Sequence, residues 1–369
     1  MSKKITLNML NIELVNGCNF RCRMCDAVKY LKSHMRYMSI QTAKNIVKHV
    51  NSDVDEITSI WPYSYGEPLA HPEIYRILEV LNEIKRPKEC PVVLSTNASL
   101  LRGEAAYALL EIPFVTQLKI SFDGFGDEES YKNLRGNHYY EVVDNVRNFV
   151  LIVKRKRPEL YISTTSIYPG KEFMPKEMHI PSFEEAKKGM EKVFTPMGVD
   201  VGMRYLHGHN EWEQVLSQKT VARKTPPQKA GTIAISGEQT PQEIPINPPS
   251  PTKKPQAFRC WQLEENYFGI GFDGKLRPCH STVIDEFYIG DLNHQGFKEI
   301  LTSEKYLKLR HDLRLDRREN HDVCAKCSSG EAMDSVATTI KFWKEKLSTG
   351  EVTDPEELEY LSELVREDA

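Results

Sequence analysis

The stretch Asn16-Gly17-Cys18-Asn19-Phe20-Arg21-Cys22-Arg23-Met24-Cys25-Asp26 sets three cysteines at the spacing C-x3-C-x2-C, and whatever the rest of the chain folds into must present them together. Three thiolates leave a tetrahedral zinc one ligand short, and an odd cluster does not fit a paired disulfide framework. A cubane iron–sulfur cluster fits. Three of its irons take one cysteine each, and the fourth keeps an open position for a substrate or cofactor. The alternative is three incidental cysteines in a loop, and a second cysteine set downstream speaks against it.

The remaining composition narrows the setting. At 369 residues the chain has room for one barrel-sized domain and a smaller module. A formal charge of -3, with Lys and Arg interspersed among Asp and Glu, gives no polyanion-binding surface, so nucleic acid is not an expected partner. No apolar run approaches the roughly 18 residues of a membrane span, and Met1-Ser2-Lys3-Lys4 leads into an apolar strand rather than a signal peptide. A cytoplasmic location without membrane attachment is expected. In that reducing compartment the eight cysteines read as metal ligands before disulfides.

Periodicity then orders the chain. Residues 5–14 form a strand, which places the three-cysteine loop at its C-terminal end, the side on which β/α barrels carry chemistry. Ser39 caps a helix through Val50. Strands are expected at 57–61, 92–95, 117–122, 160–167 and 200–206, with helices at 72–85, 104–110, 140–154 and 182–194 between them. Six such units predict an α/β fold, a partial (β/α)6 TIM-like barrel, over residues 1–206. Residues 207–257 are proline-rich and poor in apolar residues, a linker or lid. A small α+β module follows over 258–330. It opens with a hairpin of Tyr267–Phe272 and Lys275–Arg277 turning at Asp273-Gly274, and continues into a helix over 297–313. C-terminal helices are expected within 331–369, at 336–347 and 355–366.

The second cysteine set is Cys260, Cys279, Cys324 and Cys327. Hairpin cysteines with a C-x2-C knuckle also suit tetrahedral zinc, so the residues alone leave zinc and an iron–sulfur cluster both open. Cys90, outside both sets, precedes the third strand and reads as a structural thiol.

Two resemblances sharpen this. C-x3-C-x2-C with the apolar Met24 before its last cysteine resembles the signature of the radical S-adenosylmethionine (radical SAM) enzymes. Cys260, Gly274, Cys279 and the Cys324/Cys327 knuckle resemble the SPASM module that follows many such barrels. The longer form of that module carries seven cysteines and two clusters. With four, the match here is to the shortened twitch form with one auxiliary [4Fe-4S] cluster. The spacing of the set is similar to twitch-bearing aminocyclitol dehydrogenases, from which the proline-rich segment departs.

The resemblance implies the cofactors: a SAM-binding [4Fe-4S] cluster on Cys18, Cys22 and Cys25, S-adenosylmethionine itself, and the auxiliary cluster on the second set. Tyr65-Gly66-Glu67-Pro68 resembles the Gly-Gly-Glu motif that meets the SAM amino group, with Tyr65 in place of the first glycine, so Gly66 and Glu67 carry over. Asn97 ends the third strand. Ser121 and Asp123, in a Ser-x-Asp-Gly segment, and Arg135 shortly after it are implied as contacts to SAM. Ser163 and Thr165 alternate toward the same interior, with Ser163 a ribose candidate. Tyr63, Arg204 and Tyr205 project from strand ends as candidate substrate or catalytic residues, whereas His207 and His209 read as solvated.

Implied too are flavodoxin or ferredoxin as reductant and reductive cleavage of SAM to a 5′-deoxyadenosyl radical that takes a hydrogen atom from substrate. The auxiliary cluster then accepts the remaining electron, which favours dehydrogenation of an alcohol such as a sugar or aminocyclitol. Modification of a ribosomal peptide, by cross-linking or epimerisation, is the second enzymatic reading. A non-catalytic iron–sulfur or zinc scaffold is the third.

Overall fold

Strand β1, Met9–Ile12, is buried along its whole length and lies at the centre of the sheet rather than at its edge. The computed structural model describes residues 4–25, 27, 34–169, 173–205, 257–264, 266–279, 287–314, 317–325, 327, 331–333 and 348–349. Within it β1 runs parallel to β2, Ile60–Trp61, with Leu10 opposite Ile60. A single parallel bridge, Ile60 to Val92, carries the sheet on to β3, Val93–Thr96. From there β4 (Gln117–Ser121), β5 (Tyr161–Tyr168) and β6 (Asp200–Tyr205) add in sequence order, all parallel. Six parallel strands in chain order make the partial barrel expected from the pattern.

The helices between the strands cover the outer face. They are α1 (Ile40–Asp53), α2 (Ile74–Leu81), α3 (Gly103–Glu111), α4 (Glu128–Arg135), α5 (Tyr139–Lys156) and α6 (Phe183–Phe194). Each buries one stripe: in α1 it is Ala43, Ile46, Val47 and Val50, after a cap in which Ser39 Oγ accepts from Thr42 N at 3.0 Å. α6 starts with a full capping box between Ser182 and Glu185. Strand alternation sets the other side. In β4, Leu118 and Ile120 are buried under the helices, while Gln117, Lys119 and Ser121 keep partial exposure on the concave face.

Two local readings change. The helix expected over 297–313 is two helices, α7 (Phe297–Leu301) and α8 (Glu304–Arg314). Thr302 Oγ1 donates to Lys298 O at 2.9 Å and Ser303 Oγ accepts from Tyr306 N at 3.3 Å, so the hydroxyls take over the backbone bonding at the break. Helix α4 was not anticipated, although its ends carry the signals. Asp127 caps it by accepting from Ser130 N at 2.8 Å, and Gly136 ends it at φ +92.

The C-terminal hairpin forms at Asp273-Gly274, with Gly274 at φ +85, between β7 (Tyr267–Ile270) and β8 (Lys275–Arg277). It does not stand apart from the barrel. β7 pairs in parallel with β1, Tyr267 opposite Met9 through Ile270 opposite Ile12, and β9 (Gly290–Asp291) completes the order β9-β8-β7-β1-β2. An ion pair buried beneath this junction, Arg277 Nη2 to Glu13 Oε2 at 3.3 Å, joins β8 to the end of β1. Farther out, Ala257–Arg259 pairs antiparallel with Glu331–Met333, straddling the expected boundaries at 257 and 330. The proline-rich segment up to residue 256, with His207 and His209, and the expected helices at 336–347 and 355–366 lie outside the described residues. Among the described residues, no helix is long and apolar enough to cross a membrane.

Candidate functional site

The three-cysteine loop leaves the β1 end through a short antiparallel ladder of Val15–Asn16 with Arg36–Tyr37, and is then fastened from three sides. Arg23 N donates to Leu134 O at 2.9 Å, Cys25 N to Cys22 O at 3.1 Å, and Glu67 N to Gly17 O at 2.9 Å. Gly66 is the residue that lets the loop after β2 come this close. A Cβ there would lie 1.9 Å from Val15 O and 2.6 Å from Gly17 O.

Burial pushes the Cys18 thiol up to about 11, with the nearby Cys22 and Cys25 adding to the effect, and burial likewise raises Cys22. Three partly buried cysteines sit close together here, and a metal centre would supply the charge that stabilises their thiolates, so the donor set fits a cluster. Phe20 N at 3.4 Å and Asn97 Nδ2 at 3.8 Å both donate to Cys18 Sγ. Such bonds to sulfur are among the factors that set a cluster's potential.

The residues implied as SAM contacts surround this loop. Glu67 is buried and its carboxylate ties two strand ends together. Oε1 accepts from Thr96 Oγ1 at 2.6 Å and Leu69 N at 3.0 Å, and Oε2 accepts from Asn97 N at 2.7 Å. Desolvation raises its pKa, and these donors oppose that shift. Asp123 is also buried, accepting from Arg135 Nε at 2.6 Å through one oxygen and from Ile167 N at 2.6 Å through the other. Arg135, whose guanidinium acts on Cys22, is held in its charged form: burial is the largest single effect and opposes the charge, and the Asp123 carboxylate, Cys22 and Tyr131 together outweigh it. Ser121 Oγ meets Ser95 Oγ at 2.9 Å on the concave face. Ser163, nearly buried, lies on that same face opposite Lys119.

Deeper on the concave face, the Lys119 Nζ lies 5.2 Å from the centre of the Trp61 ring, and Trp61 stacks on Tyr63 at 5.7 Å and 18°. Asn11 Nδ2 holds this pair in place by donating to Trp61 O at 3.2 Å and also to Tyr63 O. Arg204, on β6 with the same parity, is exposed and within electrostatic reach of both Tyr63 and Lys119. Tyr205 closes β6, and its side chain lies outside the described residues. The sequence reading missed Lys119 and Trp61. The alternation in Gln-Leu-Lys-Ile-Ser was the signal that put Lys119 beside Ser121.

In the second set, Cys260, Cys324 and Cys327 lie within mutual electrostatic reach, and burial raises Cys260 to about 11 and Cys324 to about 12. Cys327 N donates to Cys324 O at 3.1 Å in the knuckle, and Cys279 Sγ lies 2.9 Å from Gln262 Oε1. Among the described residues, no three His, Cys, Asp or Glu side chains are arranged as ligands of a single metal ion. Tyr65 lies between the two sulfur sites. Burial raises its phenol, and Cys279, Arg277, Glu13 and Cys25 all act on it. Cys90 is buried in the core, as expected of a structural thiol.

Residues 12–150 match the Radical SAM superfamily, and residues 260–328 match the SPASM iron–sulfur cluster-binding domain. No curated protein sequence matches the chain. Among solved structures, Streptococcus suis SuiB bound to S-adenosylmethionine is similar at TM-score 0.53 and 12% identity, over 82% of this chain and 68% of that one. anSMEcpe with bound AdoMet is similar at TM-score 0.52 and 15% identity, over 96% of this chain and 98% of that one. BtrN in complex with AdoMet and 2-DOIA is similar at TM-score 0.48 and 14% identity, over 90% and 99%. The SPASM match spans the second cysteine set and implies iron–sulfur for that domain. The chain therefore carries a radical SAM domain, which implies SAM and a [4Fe-4S] cluster, followed by a SPASM domain, which implies auxiliary iron–sulfur.

Proposed function

We propose that this enzyme dehydrogenates an alcohol carbon of a small polyhydroxylated molecule. The observation that carries the reading is the second cysteine set itself. Its four cysteines, Cys260, Cys279, Cys324 and Cys327, would supply one thiolate to each iron of a cubane, and a cluster with no open iron moves electrons instead of binding substrate. When bound, SAM and the reduced first cluster supply a 5′-deoxyadenosyl radical, with flavodoxin or ferredoxin in the cytoplasm as the electron source. The substrate would give up the hydrogen atom on its carbinol carbon and the proton of its hydroxyl, and a cluster held by the second cysteine set would take up the remaining electron, leaving a ketone.

The chain's own residues hold the parts. Cys18, Cys22 and Cys25 would hold the first cluster, and Cys260, Cys279, Cys324 and Cys327 the second. Gly66 and Glu67 shape the edge of the SAM site with Asn97, while Ser121, Asp123, Arg135 and Ser163 line the side toward the cofactor. Tyr63 and Arg204 face the substrate, and Tyr205 follows Arg204 at the end of β6. The Asp123–Arg135 pair and the Glu67 network keep these strand ends rigid, the preorganisation that radical chemistry requires to exclude side reactions.

Anaerobic reconstitution with iron and sulfide tests the reading. About eight irons per chain, with 5′-deoxyadenosine formed under a low-potential reductant and a ketone formed in step with it, are the expected results. Iron near four per chain would remove the oxidising role of the second site. A peptide product is the second reading, since the similar SuiB is also described bound to its precursor peptide SuiA. Deoxyadenosine formation that rises with a peptide and not with any polyol would replace the first reading with the second.

A further inference from the structure

The concave face carries two cations without a described carboxylate to match them. Lys119 reaches from β4 across β3 to the Trp61 ring, Arg204 enters from β6 at the open side, and neither forms an ion pair among the described residues. Every other charged group described along this face is engaged. Glu13 is paired with Arg277, Glu67 is bonded to Thr96, Leu69 and Asn97, and Asp123 is bonded to Arg135 and Ile167. Asp200, at the far end of β6, accepts from Tyr161 Oη at 2.7 Å. Trp61 and Tyr63 add a flat apolar wall beside the two cations.

We propose that the substrate of this barrel carries an oxyanion, a carboxylate or a phosphate, which Lys119 and Arg204 hold while Trp61 and Tyr63 pack against its carbon skeleton. This rests on the barrel being the radical SAM active site and adds the charge class of what enters it. An anion between two cations gains charge-assisted hydrogen bonds from both, and relieves the repulsion each exerts on the other. Burial followed by the Arg204 guanidinium lowers the Lys119 ammonium, so a bound anion stabilises the charged form that the empty pocket disfavours. The Lys119–Trp61 contact fixes the ammonium in place before the ligand arrives. An unphosphorylated aminocyclitol, itself a cation, is disfavoured by the same two residues.

The test uses the reconstituted holoenzyme with SAM present and follows tryptophan fluorescence as inorganic phosphate, glucose 6-phosphate, glucuronate, glucose and glucosamine are titrated. Saturable binding of the phosphate or carboxylate probes is expected, weakening with added salt and at least tenfold weaker in Lys119→Met, with Lys119→Arg retaining most of it. Tighter binding of glucose 6-phosphate or of glucuronate names the headgroup. If Lys119→Met does not fold, the exposed Arg204→Met carries the same comparison. No saturable binding of either anion to the wild type, unchanged binding in both Met variants, or loss of SAM affinity in Lys119→Met would overturn the inference, the last by giving the cation to the SAM carboxylate. Deoxyadenosine formation by the wild type is read in parallel. Its absence with anion binding intact overturns the radical reading instead.

Discussion

Arg135 donates through Nε to Asp123 at 2.6 Å, and both side chains lie under the cysteine loop with exposures of only 10% and 1%. The pair connects the end of α4 to the strand end after β4 and, through Ile167, to β5. Removing one member leaves the other charge buried and uncompensated, which costs more than the pair contributes. Asp123→Ala is expected to lose about 3 kcal/mol of stability, and a urea denaturation midpoint measures it. Replacing both residues with apolar ones of similar volume should cost less than Asp123→Ala alone.

Cys324→Ala separates the two cluster sites. Cys324 lies with Cys260 and Cys327, away from the barrel loop. Iron is expected to fall from about eight to about four per chain, while deoxyadenosine is still produced and ketone is not. An equal loss of deoxyadenosine would mean that the two sites cannot be assembled independently.

Gly66→Ala tests the close approach of two loops. The added methyl would sit 1.9 Å from Val15 O, a backbone atom with no freedom to swing aside. Strain of about 1–3 kcal/mol is expected. It should appear as slower or incomplete reconstitution of the first cluster, read from iron content and the visible spectrum.

His71 gives the fold a pH dependence of known sign. Its Nε2 lies 2.8 Å from Met38 O and its Nδ1 accepts from Glu73 N at 3.1 Å, so the buried ring is useful only when neutral. Burial lowers its pKa, with the Met38 carbonyl opposing. Below the unfolded value of about 6.5 the unfolded chain binds the proton that the native state refuses. Stability is therefore complete above that pH and falls as the pH drops toward the folded value. Thermal unfolding of wild type against His71→Gln between pH 7.5 and 5.5 should show a steeper loss in the wild type.

The parallel barrel was legible because each strand carries its own period-2 signal and each helix its own stripe. Asp200–Tyr205 and Tyr161–Tyr168 are found within a residue or two of where that pattern places them. Local cues also singled out the two cysteine sets and Gly66. Pairing between distant strands leaves no such trace: nothing in Tyr-Phe-Gly-Ile says that its partner is Met9–Ile12. Lys119 was overlooked for a related reason. A lysine inside a strand reads as solvent-facing until the sheet curls and turns that face inward. Glu67 was legible as an acid after the second strand, whereas its three donors become visible only once β2 and β3 lie side by side.

The pairing of β7 with β1 also has a consequence for the order of events on the ribosome. β1 emerges long before Tyr267–Ile270, and one of its two edges is covered only when that segment follows. During that interval an apolar strand with open backbone groups faces the cell, the kind of edge that recruits other chains. Completion of the sheet thus waits until Tyr267–Ile270 and then Gly290–Asp291 have been made, and the same step brings the domain that binds the second cluster against the barrel. A nascent chain stopped before that point would be aggregation-prone, and chaperone demand should track the time taken to translate the segment between.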